Sequence, residues 1–232
     1  MNPPLNTSAN TSTSVATSVA ASVASLVSYL DPLPLIAVLR GITPEEIPAI
    51  AKALVGEGFR VLEVPLNSPR PFDSIRLLAD ACGDRCLVGA GTVIAVADVA
   101  RVRAAGGNVV VMPHADTAVV CEAKAQGMLC VPGVATPTEA FAALAAGADG
   151  LKMFPSEALP PGALKAWRAV LPREALVFAV GGIRPDNMAP YWSAGATGFG
   201  TGSNLYAPGA HAENVRAAAA AYAAGFRALP PR

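Results

Sequence analysis

Residues 108–133 read NVVVMPHADTAVVCEAKAQGMLCVPG, two short apolar runs on either side of an alanine-containing, more polar stretch. Both runs are as hydrophobic as strands that are covered on both faces, which is typical of a parallel sheet. The stretch between them ends at Gly127, and glycine commonly follows the last turn of a helix. The segment therefore predicts a strand, a helix and a second, parallel strand.

The same unit recurs from Leu35 onward at spacings of about 20–28 residues. Helix-start signals follow several runs, such as Thr136-Pro137-Thr138-Glu139, where proline stands at the first helical position. Eight such units in 232 residues predict an α/β fold, a closed (β/α)8 TIM barrel, and no GxGxxG motif follows the first strand to indicate a dinucleotide-binding sheet. The eight apolar runs span residues 35–40, 60–66, 86–92, 108–113, 128–133, 150–155, 176–182 and 197–202.

The composition excludes several classes of protein. Hydrophobic residues make up 53% of the chain and the formal net charge is zero, so we expect a large core and no broad surface for nucleic acid or membranes. No run of about 18 apolar residues predicts a membrane span. The four cysteines form no CxxC pair and the two histidines are far apart, so no metal is expected. Cys82 and Cys86 could meet across a helical turn, but we interpret the cysteines as small buried side chains of a cytoplasmic protein.

The start of the chain has a different composition. Residues 6–25 read NTSANTSTSVATSVAASVAS, and no lysine or arginine precedes Arg40, so neither a secretory signal nor a mitochondrial presequence is predicted. We predict a flexible low-complexity extension over residues 1–28, helical near its end, and a single barrel domain over residues 29–232.

The active site of a (β/α)8 barrel lies at the carboxyl ends of its strands. The predicted sixth strand carries Lys152, one of four lysines, between Leu151 and Met153. A desolvated amine loses preference for its charged form, and the neutral amine can condense with a ketone to form a Schiff base. The alternative is a lysine whose stem lines the barrel while its amine pairs with a carboxylate.

Polar residues at other strand ends could complete such a site. Glu63 lies inside the second strand, either as a general acid and base or as an ion-pair partner of Lys152 or Arg40. Arg40 ends the first strand and could bind a carboxylate, although an arginine there could equally pair with an acid of the protein. Thr92 could donate its hydroxyl to the same carboxylate, or it could cap a helix.

The last two strand ends are rich in glycine. Gly181 and Gly182 follow the seventh strand, and Gly202 and Ser203 follow the eighth. Such turns let backbone N–H groups approach an anion, and barrels often bind phosphate at these two positions. A neutral protein could thus hold a phosphate with oriented dipoles.

Taken together, these residues resemble a known family. From about Leu33 to Leu229 the chain resembles the class I 2-dehydro-3-deoxy-phosphogluconate and -phosphogalactonate aldolases, which are (β/α)8 barrels, usually trimeric. The resemblance implies cleavage of a phosphorylated keto acid to pyruvate and D-glyceraldehyde 3-phosphate, with no cofactor. It implies that Lys152 forms the Schiff base, that Glu63 donates and accepts protons, that Thr92 holds the pyruvate carboxylate, and that the glycine turns with Ser203 hold the phosphate. The motifs are RVLEVPLNSP (60–69), VGAGTV (88–93), VPGVATPTEA (131–140), GLKMFPSE (150–157), AVGGIRPDN (179–187) and GTGSNLY (200–206).

Two differences, at three positions, distinguish the branches of this family. In members of the phosphogluconate branch, the residues at the end of the second strand resemble EVTLRT. This chain has Asn67 in place of that arginine, and it has Arg40 at the first strand. Members of that branch also resemble one another in having a threonine before the double glycine, where this chain has Val180. Both differences favour the phosphogalactonate branch and cleavage of 2-dehydro-3-deoxy-6-phospho-D-galactonate in galactonate catabolism. Pro113 and His114 end the fourth strand, and we interpret His114 as facing solvent rather than substrate.

Other functions stay open at this point. The same motifs would suit a phosphogluconate aldolase or one enzyme that cleaves both C4 epimers. A metal-dependent aldolase or phosphosugar epimerase would need a cluster of histidines and carboxylates, and the chain has two histidines. A non-catalytic phosphosugar-binding barrel would explain the glycine turns but not the burial of Lys152 with Glu63.

Overall fold

The computed structural model describes residues 25–231. Nine parallel strand segments form one sheet in the order β5-β4-β3-β2-β1-β9-β8-β7-β6. Their bounds are β1 Leu35–Val38, β2 Val61–Pro65, β3 Leu87–Gly91, β4 Val109–Val111, β5 Leu129–Val131, β6 Gly133–Val134, β7 Leu151–Met153, β8 Val177–Val180 and β9 Gly198–Thr201.

The sheet closes into a barrel because its two end segments belong to one strand. β5 pairs with β4 and β6 pairs with β7, and only Pro132 separates β5 from β6. The carbonyl of Pro132 still accepts a hydrogen bond from Lys152 N at 2.8 Å, whereas proline has no N–H to donate. The predicted (β/α)8 TIM barrel is therefore confirmed, with the fifth predicted strand divided at Pro132.

Helices surround the barrel. Thr136 caps α6 as predicted, with its side chain accepting from Glu139 N while the Glu139 side chain accepts from the Thr136 backbone. A 3-10 turn, Gly83–Arg85, follows α3. The helices are α1 over residues 25–30, α2 Ile47–Gly56, α3 Pro71–Cys82, α4 Val96–Ala104, α5 Thr117–Ala125, α6 Pro137–Ala145, α7 Pro161–Arg168, α8 Met188–Ser193 and α9 Ala212–Arg227. Among residues 25–231, none of these helices could cross a membrane.

Helix α1 closes the amino-terminal end of the barrel. Leu26 and Leu30 are buried in the interior cluster together with residues of several strands, among them Ile36 and Val61. Both leucines are therefore part of the buried core, although the predicted boundary at residue 29 assigns Leu26 to the extension. The rest of the predicted extension, residues 1–24, lies outside the described residues.

Candidate active site

Lys152 lies at the centre of β7 and lines a groove at the carboxyl end of the barrel. The residue is only 5% exposed, and its Nζ lies 4.6 Å from the centroid of the Phe154 ring. Burial lowers the pKa of the amine, the neighbouring Glu63 carboxylate opposes this, and the positive charge of Arg40 lowers the pKa further. The neutral, nucleophilic amine is therefore easier to form here than in a solvent-exposed lysine.

Glu63 lies at the centre of β2 and is 1% exposed. Burial raises the pKa of its carboxyl to about 7, although the charges of Lys152 and Arg40 and a backbone hydrogen bond from Gly91 all act in the opposite direction. One carboxyl oxygen, Oε2, is buried without a hydrogen-bond partner. A buried carboxyl that titrates near neutrality can both accept and donate a proton at physiological pH.

Gly91 makes room for this carboxyl. A Cβ atom at this position would lie 1.9 Å from Oε2 and 2.4 Å from Oε1 of Glu63. The last residue of β3 is thus the wall against which the carboxyl group rests.

Lys152 and Glu63 influence each other without forming an ion pair. Both pKa shifts include the charge of the other group, yet no Nζ–carboxylate distance within 4.0 Å joins these two described residues. The alternative of a simple structural salt bridge is therefore not what the geometry shows.

Arg40, Asn67 and Thr92 meet at the ends of β1, β2 and β3. Arg40 Nη1 donates to Asn67 Oδ1 at 2.8 Å, and both terminal nitrogens of Arg40 lie within 3.5 Å of Thr92 Oγ1. Thr92 adopts a left-handed backbone (φ 55°), which is costly for a β-branched residue. The cluster presents a guanidinium and a hydroxyl, the donors that a substrate carboxylate needs. Sequence reasoning noted Asn67 only as a difference between branches and missed its contact with Arg40.

The glycine turns form the other half of the groove, a cavity of about 520 Å³. Gly181 and Gly182 have φ values of 103° and 64°, which only glycine adopts readily. On the facing turn, Leu205 N and Tyr206 N both donate to Gly202 O, which forms a single helical turn. Within residues 25–231 no backbone carbonyl accepts from Gly182 N or Ser203 N. These N–H groups are available to an anion.

Val180, Gly202 and Ser203 line this cavity together with Lys152 and Arg40. Residues that sequence reasoning did not select also line it, namely Val38, Gly41, Phe154, Glu157, Ile183, Gly200, Asn204, Tyr206, Ala207 and Pro208. The motifs quoted above already contained Phe154, Asn204 and Tyr206 without a role for them, whereas no motif reached Ala207 and Pro208.

Glu46 ties the two loops at the rim together. Its Oε1 accepts from Tyr206 Oη at 2.9 Å and Gly209 N at 3.0 Å, while Oε2 accepts from Thr43 N and Oγ1 at 2.9 Å each. Burial alone would raise the pKa of Glu46, but these hydrogen bonds outweigh it and lower the pKa. The carboxylate therefore fixes the loop that carries Ser203 against the loop that carries Arg40.

Pro113 and His114 are not brought into this groove. Both follow β4, His114 is exposed, and neither lines the cavity. The carbonyl group of Pro113 instead packs against Gly133, where a Cβ atom would lie 2.5 Å from it. In the described part of the chain, no three histidine, cysteine, aspartate or glutamate side chains converge as metal ligands would.

Comparison with known proteins agrees with this geometry. The family model for aldolases of the type "KDPG and KHG aldolase" matches residues 26–220. The probable 2-dehydro-3-deoxy-6-phosphogalactonate aldolase of Rhizobium meliloti (strain 1021) is 47% identical over 196 residues, covering 84% of this chain and 92% of that protein. The 2-dehydro-3-deoxy-6-phosphogalactonate aldolase of Escherichia coli (strain K12) is 47% identical over 195 residues, with coverage of 84% and 95%.

A solved structure described as native KDPGal superimposes with a TM-score of 0.84 at 46% identity and covers 86% of this chain and 97% of that one. The agreement extends over both sequence and fold, and nearly the whole length of each relative is matched. The chain therefore belongs to the KDPG and KHG aldolase family.

Proposed function

We propose that this protein is a class I aldolase that cleaves 2-dehydro-3-deoxy-6-phospho-D-galactonate to pyruvate and D-glyceraldehyde 3-phosphate. The observation that carries the proposal is the burial of Lys152 in a groove with a cationic and a glycine-rich end, within the electrostatic influence of the buried Glu63. The two relatives with 47% identity are named for this activity.

The substrate binds with its two anionic ends apart. Arg40 and Thr92 hold the C1 carboxylate, and the N–H groups at Gly182 and Ser203 hold the phosphate on C6. This orientation places the C2 ketone over Lys152. The neutral amine attacks C2 to give a carbinolamine, which loses water to form a cationic imine.

The imine then accepts electrons from the bond that breaks. Glu63, directly or through a water molecule, removes the proton of the C4 hydroxyl, the C3–C4 bond breaks, and its electron pair moves into the enamine while glyceraldehyde 3-phosphate leaves. Glu63 returns the proton to C3, and water hydrolyses the imine to release pyruvate and Lys152. A carboxyl with a pKa of about 7 suits both transfers, since neither protonation state is strongly disfavoured.

Trapping with borohydride tests the role of Lys152. Pyruvate and borohydride should add one reduced pyruvate to the intact protein, and peptide mapping should locate it on Lys152. Lys165→Ala, at an exposed position in α7, is the matched control and should still be trapped. If Lys152→Ala gains the same mass, the role proposed for this residue is wrong.

Cleavage of the two pure C4 epimers tests the branch. Val180, which lines the cavity and is 8% exposed, offers no hydroxyl to the substrate, and this supports a preference for the galacto epimer. A large preference for the gluco epimer would make the protein a phosphogluconate aldolase, and equal rates would make it a dual-epimer enzyme. Tight phosphosugar binding without turnover would favour a binding barrel, and loss of activity in excess chelator would favour a metal-dependent enzyme.

We also propose that the protein is a cytoplasmic homotrimer whose residues 1–24 are not needed for catalysis. Exposed apolar side chains, among them Ile94 and Phe141, support an interface between subunits. Light scattering coupled to size-exclusion chromatography measures the subunit number.

Deletion of residues 1–24 should leave the cleavage rate unchanged, and a large loss would contradict this domain division.

A further inference from the structure

A second cavity, of about 510 Å³, lies at the opposite end of the barrel from Lys152. It opens between the carboxyl ends of α2 and α3, next to Arg60 and Arg85, which precede β2 and β3 by one and two residues. We call it the basal cavity. It is lined by Pro48, Ala51, Lys52, Val55, Gly56, Arg60, Ala81, Cys82 and Arg85.

Three cations and no carboxylate line the basal cavity. Lys52, Arg60 and Arg85 are the only ionisable groups of its wall apart from the thiol of Cys82. Within residues 25–231, no aspartate or glutamate lies within 4.0 Å of any of these three cations, whereas five other lysines and arginines do form ion pairs. The nearest acids in sequence, Glu57 and Asp84, are not part of the wall.

The guanidinium groups of Arg60 and Arg85 are fixed by backbone carbonyls and still have unused N–H donors. Arg60 Nη1 donates to the carbonyls of Val55 and Phe59 at 2.9 Å each. Arg85 donates through Nε to Cys82 O at 3.1 Å and through Nη2 to Ala81 O at 2.8 Å. Each guanidinium carries five N–H donors, so Nη2 and Nε of Arg60 and Nη1 of Arg85 remain for a ligand.

Capping of two helix ends explains only part of this arrangement. Arg60 and Arg85 do bind the last carbonyls of α2 and α3, where the helix dipoles favour cations. Lys52, by contrast, lies within α2 and makes no hydrogen bond with any residue that the structure describes, yet it faces the same cavity.

We propose that the basal cavity binds a small, multiply charged phosphate compound. Planar guanidinium groups match phosphate oxygens bidentately, and an ammonium group adds a mobile third donor. The volume is similar to that of the groove above Lys152, so a compound of metabolite size fits. This site does not depend on the proposed aldolase reaction.

Calorimetric titration with inorganic pyrophosphate tests the proposal. The full chain should bind two anions per subunit, one in the groove that contains Ser203 and one in the basal cavity. Lys52→Gln should weaken one of the two about tenfold, the size expected when one charged hydrogen bond is lost. Lys52→Arg should restore it, because the charge and the donors return.

Lys165→Gln removes an exposed lysine of α7 and is the matched control for charge. It should leave both affinities unchanged, and Lys52→Gln should leave aldol cleavage unchanged because the basal cavity lies far from the reacting groups. Glycerol 1-phosphate in place of pyrophosphate shows whether a phosphate monoester is enough. Equal isotherms for the unmodified protein and Lys52→Gln, or equal weakening by Lys165→Gln, would overturn the proposal.

Discussion

Replacement of Gly91 by alanine tests whether the position of the Glu63 carboxyl determines the rate. The new methyl group would lie 1.9 Å from Oε2, about 1.5 Å short of the 3.4 Å at which ordinary contact begins. The carboxyl rests against the backbone of β3 on this side, so it must move away by about that distance. Gly91 itself contributes no functional side chain to the chemistry.

A shift of about 1 Å in a reacting group can cost about 100-fold in rate, and full loss of a general acid and base costs about 100- to 10,000-fold. We therefore expect at least a 100-fold lower rate for Gly91→Ala, which is about 2.7 kcal/mol in the barrier. The suitable assay is exchange of the pyruvate methyl protons with solvent deuterium, followed by proton NMR. Pyruvate has no phosphate, so this assay depends on Lys152 and Glu63 and not on the glycine turns.

Gly162→Ala is the control for the added methyl group. Gly162 lies in the first turn of α7, and a Cβ there meets no atom within 4 Å, so this variant should exchange at the normal rate. Far-UV circular dichroism and thermal unfolding should show both variants folded. A folded Gly91→Ala protein that exchanges pyruvate protons as fast as the Gly162→Ala protein would refute the role given to the Glu63 carboxyl.

The remaining predictions concern separate parts of the molecule. The rate of pyruvate proton exchange should rise as pH increases through about 7, because burial raises the pKa of Glu63 and only its ionised form is a base; Glu63→Gln should lose this limb. Glu46→Ala should raise KM for the phosphorylated substrate about tenfold, since its charged hydrogen bonds hold the loop that carries Ser203 against the loop that carries Arg40. Val180→Thr should increase cleavage of the gluco epimer relative to the galacto epimer about tenfold by restoring a hydroxyl, as measured with the pure epimers. Leu26→Ala should lower the free energy of unfolding by about 2–5 kcal/mol in urea, whereas Val27→Ala, at a 43% exposed position, should change it by less than about 0.5 kcal/mol.

The barrel was predictable because its strands are buried on both faces and recur with helices between them. Details that depend on packing between residues far apart in the sequence were not predictable. Pro132 lies inside an apolar run that reads as one strand, and the division into β5 and β6 follows from its missing N–H group. Leu26 and Leu30 lie four residues apart in a segment of small polar and alanine residues, so their spacing was a weak signal beside the composition.

Lys152 and Glu63 were predictable as site residues because ionisable side chains are rare inside apolar strands. Lys152 and Glu63 each interrupt an apolar run, and such interruptions stand out in a sequence. Glu46 and Asn67 lie in loops, where acidic and amide residues are common, and the partner of Glu46 in the other loop, Tyr206, is 160 residues away. The same holds for the basal cavity, because Lys52 is an ordinary helix-surface residue until the fold places it beside two arginines.

Arg40 links substrate binding to the proton transfers. Its charge lowers the pKa of both Lys152 and Glu63, and it lies where the substrate carboxylate would bind. A carboxylate on Arg40 cancels part of that charge, so Glu63 becomes a stronger base once the substrate is bound. In the proposed reaction, the cationic imine on Lys152 then keeps Glu63 ionised until it takes the proton of the C4 hydroxyl, and loss of that positive charge as the neutral enamine forms stabilises the protonated carboxyl. The charges of Arg40, Lys152 and Glu63 are thus coupled through the proposed reaction, which accounts for an arginine, a lysine and a glutamate at one end of an otherwise apolar barrel.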